Sequence, residues 1–67
     1  MDFADRLRQL RQERGLTQSS LAELLGVSKQ AISNYETRAN TAPQDVMERL
    51  ADIFSVSIDY LMGRSDV

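Results

Sequence analysis

Residues 15–36 have the sequence GLTQSSLAELLGVSKQAISNYE, which predicts two short helices joined by a sharp turn. Thr17 and Ser28 are typical N-cap residues, and apolar residues follow each of them at helical spacing. Gly26 ends the first helix, because glycine readily adopts the positive φ of a turn. The predicted turn residues are Ala22, Gly26 and Val27. The stretch 17–36 is therefore a candidate helix-turn-helix unit.

The rest of the chain continues the helical spacing, and no segment alternates apolar with polar residues for the length of a strand. The predicted helices cover about residues 2–14, 18–25, 28–36, 43–54 and 58–62. Their inward residues are expected to be Phe3, Leu7, Leu10, Leu21, Ala22, Leu24, Leu25, Ala31, Ile32, Tyr35, Val46, Met47, Leu50, Ala51, Phe54, Ile58, Leu61 and Met62. This pattern predicts an all-α fold of five helices in one domain, residues 1–63, followed by a frayed tail at 64–67.

The composition excludes several classes of protein. The 67 residues include neither cysteine nor histidine, so the sequence has no disulfide, no zinc site of the Cys/His type and no Ser-His-Asp triad. A thiol nucleophile and an imidazole proton shuttle are excluded for the same reason. We therefore expect no enzyme activity, no cofactor and no metal site.

The net charge of −2 argues against a polycation that coats nucleic acid, but the charges are unevenly distributed. Residues 1–40 carry six basic and five acidic side chains, whereas residues 41–67 carry two basic and five acidic ones. No apolar run approaches the ~18 residues that span a bilayer, and the N-terminus has no secretion signal. We expect a cytoplasmic protein that does not bind membranes.

The spacing of one set of residues resembles a known family. The set is Gly15-Leu16-Thr17-Gln18, Leu21-Ala22, Gly26-Val27-Ser28, Ile32-Ser33-Asn34-Tyr35-Glu36, Pro43, Val56-Ser57, Asp59-Tyr60-Leu61 and Gly63. It resembles the Cro/CI-type (XRE) helix-turn-helix family of phage repressors and bacterial regulators over nearly the whole chain. The resemblance implies a compact, lambda-repressor-like fold whose third helix recognises double-stranded DNA. Arg38 and Ser55 depart from the family, which often has glycine at these positions, and Tyr35 stands where the family often has tryptophan.

The outer face of the third helix suits the recognition of bases. Its outward residues are Ser28, Lys29, Gln30, Ser33 and Asn34. Gln and Asn side chains can each make two hydrogen bonds to adenine, Lys can donate to guanine, and Ser can bond to either kind of edge. No carboxylate lies among these residues to repel phosphates. We predict that they contact bases, and the alternative is an ordinary polar surface.

Contacts to the DNA backbone are predicted on both sides of this helix. Thr17 and Gln18 begin the second helix, where backbone N–H groups and the helix dipole favour an anion. A polar loop follows the third helix and would flank the next phosphates. The residues predicted to contact phosphates are Arg11, Thr17, Gln18, Thr37, Arg38, Asn40 and Thr41.

A charged pair is implied by the same resemblance. Residues at the positions of Arg11 and Glu36 commonly pair in the family, which would tie the third helix to the first. The alternative is two independent surface charges. The remaining basic side chains of the first helix are expected to lie in solvent, and they are Arg6, Arg8 and Arg14.

Two classes of function remain open. The first is a sequence-specific transcriptional regulator, in particular a repressor, that binds a palindromic operator as a homodimer because one helix reads only a few base pairs. The second is a protein-interaction module, such as an antitoxin or anti-repressor component, whose protein partner is unknown. Four residues near the C-terminus could form a dimer or partner surface, or could simply close the core, and they are Ile58, Tyr60, Leu61 and Met62. A regulator would act in the cytoplasm, at the nucleoid of a bacterium or of a phage-infected host.

Overall fold

Most helices of the structure begin at a polar side chain that caps a backbone N–H group. In the computed structural model, which describes residues 1–66, Thr17, Ser28 and Ser57 each accept a hydrogen bond from the N–H group three residues later. Asp2 caps the first helix in the same way, and Pro43 precedes the fourth. The elements are α1 (Phe3–Glu13), α2 (Gln18–Leu25), α3 (Lys29–Glu36), α4 (Gln44–Phe54) and α5 (Ile58–Leu61). The predicted all-α fold of five helices is confirmed.

The turn between α2 and α3 is closed by Gly26. This residue has φ 76° and ψ 32°, the left-handed conformation, and its N–H group donates to Ala22 O at 2.9 Å. The N–H group of Val27 donates to the same carbonyl at 3.0 Å. These bonds satisfy carbonyl groups that the end of α2 would otherwise leave unpaired. The turn is short, and α3 therefore starts directly beside α2.

Arg38 and Ser55, which stand where the family often has glycine, both adopt positive φ angles. Arg38 has φ 68° and Ser55 has φ 55°, and they are the non-glycine residues with positive φ among the described residues. The left-handed conformation costs an L-residue about 1–2 kcal/mol because its Cβ crowds the backbone. The chain therefore carries strain at two turns where glycine would carry none.

Ser55→Gly is expected to raise the free energy of unfolding by about 0.5–1 kcal/mol, since relief of the strain exceeds the entropy cost of glycine. For a domain of this size the melting temperature should rise by roughly 4–8 °C per kcal/mol. Circular dichroism during thermal unfolding measures the change. Ser55→Ala is the matched control, because alanine retains the strain. An equal gain for both variants would contradict this interpretation.

One hydrophobic core holds the five helices together. α3 packs against both α1 and α2, α2 packs against α4, and α5 packs against α1 and α4. The largest side chains that are fully buried are Leu7, Leu21, Leu25, Ile32, Leu50, Phe54 and Leu61. α3 thus has one face fixed in the core, and its opposite face is left on the surface.

Leu24 does not belong to this core. Its exposed fraction is 62%, whereas Leu21, Ala22 and Leu25 of the same helix are buried. Each residue advances about 100° around an α-helix, so Leu24 lies about 200° from Ala22 and faces away from the core. The prediction that Leu24 points inward is wrong.

Arg6 is also placed differently from its prediction. The residue is 7% exposed, and its guanidinium carbon lies 3.8 Å from the centre of the Tyr60 ring. A guanidinium over an aromatic face is attracted to the ring's negative charge, and the long stem of arginine covers apolar surface. The expectation that Arg6 lies in solvent is wrong.

Arg8 and Arg14 each bind the C-terminal end of another helix. Arg8 Nη2 donates to Glu36 O at 3.0 Å, and Arg14 Nη2 donates to Phe54 O at 2.8 Å. The last carbonyls of a helix have no partner within it and carry partial negative charge, so a cation there is favourable. Both residues are exposed to solvent, as predicted, and each of them also binds the end of a neighbouring helix, which the sequence does not predict.

The C-terminal segment closes the core. Leu61 is fully buried, and Ile58, Tyr60 and Met62 are partly buried against the core cluster. Beyond α5, the Arg64 N–H group donates to Asp59 O at 2.9 Å. Of the tail predicted to fray, Val67 lies outside the described residues.

Candidate nucleic-acid interface

α3 presents a polar surface on the side opposite its buried residues. Ile32 has no exposed surface and Tyr35 is 7% exposed. On the outer side, Ser28, Lys29 and Gln30 are exposed, and Ser33 and Asn34 are half-buried. The structure therefore brings the five residues predicted to contact bases together on one face, around the first turns of α3.

Two amide side chains on this face are hydrogen-bonded to each other. Gln30 Nε2 donates to Asn34 Oδ1 at 2.9 Å. Residues four apart are neighbours on a helix surface, so this bond needs no backbone distortion. Gln30 and Asn34 are predicted as separate base-contacting residues, and their bond to each other is not predicted by the sequence.

Glu36 is the one carboxylate in α3, and it is turned into the protein. The residue is 2% exposed. Arg11 donates to it through Nε at 2.7 Å and through Nη2 at 3.0 Å, while Gln18 Nε2 donates at 3.2 Å. Arg11 Nη1 also donates to Leu16 O at 2.9 Å. One carboxylate thus joins α1, α2 and α3, and its charge is compensated inside the domain.

This network changes the electrostatics of its members. The hydrogen bond to Glu36 raises the pKa of the Arg11 guanidinium above its ordinary value, although burial acts in the opposite direction. The Arg11 side chain is 13% exposed. Arg11 therefore stays cationic, but most of its surface and its charge are directed toward Glu36 rather than toward solvent.

The start of α2 is only partly free to contact a ligand. Thr17 is exposed, and its hydroxyl accepts from the Ser20 N–H group at 3.0 Å. Gln18 is half-buried because its amide bonds to Glu36. An amide nitrogen carries two hydrogens, so Gln18 keeps a second donor while Glu36 fixes its orientation.

The loop after α3 is exposed, and its charge is already paired. Arg38 Nε lies 2.7 Å from Asp2 Oδ2, and its Nη2 lies 2.9 Å from Asp5 Oδ1. The hydrogen bond from Arg38 lowers the pKa of the Asp2 carboxyl from 3.8 to about 2, so the pair remains charged at neutral pH. The other loop residues predicted to contact phosphates are exposed, and they are Thr37, Asn40 and Thr41.

The pairing of Arg38 with two aspartates is not predicted by the sequence. Asp2 and Asp5 are acidic residues in the first turn of α1, which is a common position because it favours the helix dipole. They are separated from Arg38 by 36 and 33 residues, and only the fold brings them together. No local pattern distinguishes this arrangement from simple helix capping.

Residues 1–66 contain neither a membrane-spanning helix nor a cluster of metal-ligating side chains. No helix there is long and apolar enough to cross a membrane. No group of three or more carboxylate, cysteine or histidine side chains in that range is arranged to hold a metal ion.

A short helix, a glycine turn and a second helix with an exposed polar face define a helix-turn-helix domain. The chain belongs to the helix-turn-helix family, whose sequence model matches residues 7–61. It is 39% identical over 64 residues to the HTH-type transcriptional regulator YobD of Bacillus subtilis, covering 96% of this chain and 57% of that protein. It is 36% identical over 67 residues to the HTH-type transcriptional regulator ImmR of the same organism, covering 100% of this chain and 53% of ImmR.

A solved structure gives the same fold. The P22 c2 repressor, crystallised in complex with a synthetic operator, superposes with a TM-score of 0.90 at 26% identity. The superposition covers 97% of this chain and 98% of that one. The fold is therefore that of the lambda-repressor-like domains, as predicted. The chain spans only about half the length of the curated relatives it matches.

Proposed function

We propose that this chain is the DNA-binding part of a sequence-specific transcriptional regulator, in particular a repressor, without enzyme activity. Residues 1–63 form the DNA-binding unit, and its helix-turn-helix covers 17–36. The names of YobD and ImmR describe transcriptional regulators, and the P22 c2 repressor is bound to an operator in its crystal structure. Such a protein works at the DNA in the cytoplasm.

The observation that carries the proposal is the chemistry of the outer face of α3. Glu36 is buried against Arg11, so the exposed surface of this helix bears Lys29 and neutral hydrogen-bonding groups but no carboxylate. A helix about 10–12 Å wide fits the B-DNA major groove, which is about 12 Å wide. Gln30 and Asn34 match adenine, and Lys29 matches guanine. This face would meet base edges without repelling the phosphates on either side.

Backbone contacts would fix the position of α3 in the groove. We propose that Thr17 and Gln18, at the positive end of α2, hold one phosphate. The residues that flank the remaining phosphates are Arg11, Thr37, Arg38, Asn40 and Thr41. Arg38 and Arg11 are paired with carboxylates, so their contribution is smaller than that of free cations. Affinity for non-specific DNA should accordingly be low.

A homodimer on a palindromic operator would supply the affinity for DNA that a single domain lacks. One recognition helix contacts only a few base pairs, and two-fold related half-sites about 10–10.5 bp apart double the contacts. The net charge of −2 gives little sequence-independent attraction to compensate for a monomer's small interface. The occupancy of a full operator should therefore rise more steeply with protein concentration than the occupancy of a half operator. A gel-shift titration on both DNA fragments measures the difference.

The proposal predicts different losses at two glutamines. Gln30→Ala should cost about 1–3 kcal/mol of binding free energy and relax specificity at one base pair, whereas Gln18→Ala should weaken binding similarly on all sequences. The operator is first selected from random duplexes with the purified chain at near-physiological salt. Dissociation constants of both variants are then measured on the selected and on unrelated DNA. If Gln30→Ala loses equal affinity on both, or if no duplex is selected, the proposal is wrong.

A further inference from the structure

The hydrogen bond between Gln30 and Asn34 has a consequence for sequence recognition. The two side chains lie on the outer face of α3, and Gln30 Nε2 donates to Asn34 Oδ1 at 2.9 Å. Neither is committed to the core, since Gln30 is exposed and Asn34 is half-buried. Resting on the proposed DNA-binding function, we infer that Gln30 and Asn34 read DNA as one unit, with Asn34 fixing the orientation of the Gln30 amide.

The groups that this bond leaves free determine what the unit can recognise. A glutamine amide has one oxygen acceptor and two N–H donors, and one of these donors is used by Asn34. The edge formed by the carbonyl oxygen and the N–H on the same side as that oxygen stays free when Asn34 accepts from the other N–H of Gln30. Adenine presents an N6–H donor beside the N7 acceptor in the major groove. The free edge of Gln30 therefore complements adenine while the bond to Asn34 stays intact.

The same bond restricts the orientation of the two amides together. If Gln30 alone were rotated by a half-turn about its last bond, its oxygen would face Asn34 Oδ1 and two acceptors would meet, so the amides can turn over only as a pair. In the orientation of the structure, the Gln30 oxygen would face the O6 acceptor of a guanine placed where adenine fits. In this orientation the pair makes Gln30 selective for adenine over guanine, although an isolated glutamine could donate to either purine.

Asn34 itself becomes a donor toward the DNA. Its Oδ1 accepts from Gln30, and its free donors are the two N–H groups of Nδ2. Donors complement thymine O4, guanine O6 or N7 and adenine N7, and they do not complement the cytosine amino group. The unit therefore predicts an adenine under Gln30 and a base other than cytosine at the neighbouring position under Asn34.

The test compares Asn34→Ala with Asn34→Asp on the operator selected for the wild-type chain. Alanine removes the acceptor that orients Gln30, whereas aspartate keeps an acceptor there and removes the donors. The backbone carbonyl of residue 34, which accepts from the N–H groups of Ala39 and Asn40, is present in both variants. Gln12→Ala is the matched control, because it removes an exposed amide of α1 that lies outside the candidate interface.

Dissociation constants are measured for each base at the two positions. Asn34→Ala should lower the preference for adenine under Gln30 by about three- to tenfold, the factor contributed by one hydrogen bond. Asn34→Asp and Gln12→Ala should keep that preference within about twofold, the limit for independent sites. Asn34→Asp should still lose the base preference at the position under residue 34, because aspartate has no donors there. If Asn34→Ala leaves the adenine preference within about twofold, the coupling is refuted.

A measurement without DNA separates this inference from the proposed function. NMR relaxation of the side-chain amide groups should show the Gln30 NH₂ group more ordered than that of Gln12, an exposed residue of α1. The order of the Gln30 NH₂ group should be lost in Asn34→Ala and retained in Gln12→Ala. If Gln30 is as mobile as Gln12, the unit does not exist, whatever DNA the chain binds. If Gln30 is ordered but no duplex is selected, the proposed function fails, and recognition by the unit fails with it.

Discussion

Arg11→Ala is expected to lower the free energy of unfolding by about 3–5 kcal/mol, because it removes the cation that is hydrogen-bonded to a buried carboxylate. Glu36 is 2% exposed, and Arg11 donates two hydrogen bonds to it. Gln18 would remain as a neutral donor to the same carboxylate, and the half-exposed Arg8 would remain with its Nε 3.9 Å away, which compensates only part of the charge. A domain of this size has a total stability of roughly 3–10 kcal/mol. The loss is therefore comparable with the total stability, and the variant should unfold at a much lower urea concentration.

An exposed arginine provides the matched control for this loss. Arg38 is also bound to carboxylates, but its side chain is 53% exposed, and solvent screens exposed ion pairs so that they contribute little to stability. Urea unfolding followed by circular dichroism should give a much larger loss for Arg11→Ala than for Arg38→Ala. Equal losses would mean that burial of the Arg11 pair has no energetic consequence.

A double-mutant cycle isolates the pair itself. Arg11→Met with Glu36→Leu removes both charges and keeps side-chain volume, so the double variant should lose less stability than the sum of the single variants. Additive losses would show that Arg11 and Glu36 are not coupled. Coupling would matter for DNA binding, because this pair joins α3 to α1 and thereby holds the recognition surface in place.

Features formed by neighbouring residues could be predicted from the sequence. The caps at Thr17, Ser28 and Ser57 and the turn at Gly26 involve bonds across three or four residues, so local residue types determine them. The polar outer face of α3 follows equally from helical spacing. The exposure of Leu24 could not be predicted from helical spacing. Because α2 has only eight residues, several apolar stripes can be drawn through it.

Contacts between distant residues could not be predicted from composition and spacing. Arg8 reaches Glu36 across 28 residues, and Arg14 reaches Phe54 across 40. Arginine in a surface helix has the same local pattern whether it is solvated or bound to a carbonyl of another helix. The Arg11–Glu36 pair is equally distant along the chain, and it was expected only through the resemblance to a family.

The contacts of Arg38 show how bonds between distant residues change the candidate site. Its charge in a polar loop predicts a phosphate contact, whereas in the folded chain it bridges Asp2 and Asp5. A DNA phosphate would have to share this guanidinium or replace a carboxylate. The phosphate contact of Arg38 therefore remains a prediction with a smaller expected contribution than its charge alone suggests.

Phe54→Ala should destabilise the domain by about 3–5 kcal/mol, the usual cost of truncating a buried aromatic ring to alanine. Phe54 is 1% exposed and ends α4 inside the core cluster. Its removal loses the transfer free energy of the ring and leaves a cavity that the surrounding helices fill only in part. The loss is again comparable with the total stability of roughly 3–10 kcal/mol.

Leu24→Ala is the control that distinguishes burial from hydrophobicity. Leu24 is an apolar residue in a helix like Phe54, but its exposed fraction is 62%, and surface substitutions usually change stability by no more than about 0.5 kcal/mol. Thermal and urea unfolding of Phe54→Ala, Phe54→Leu and Leu24→Ala measure the series, with Phe54→Leu expected between the other two. A loss for Leu24→Ala as large as that for Phe54→Ala would mean that Leu24 is buried in solution, by the core or by another molecule.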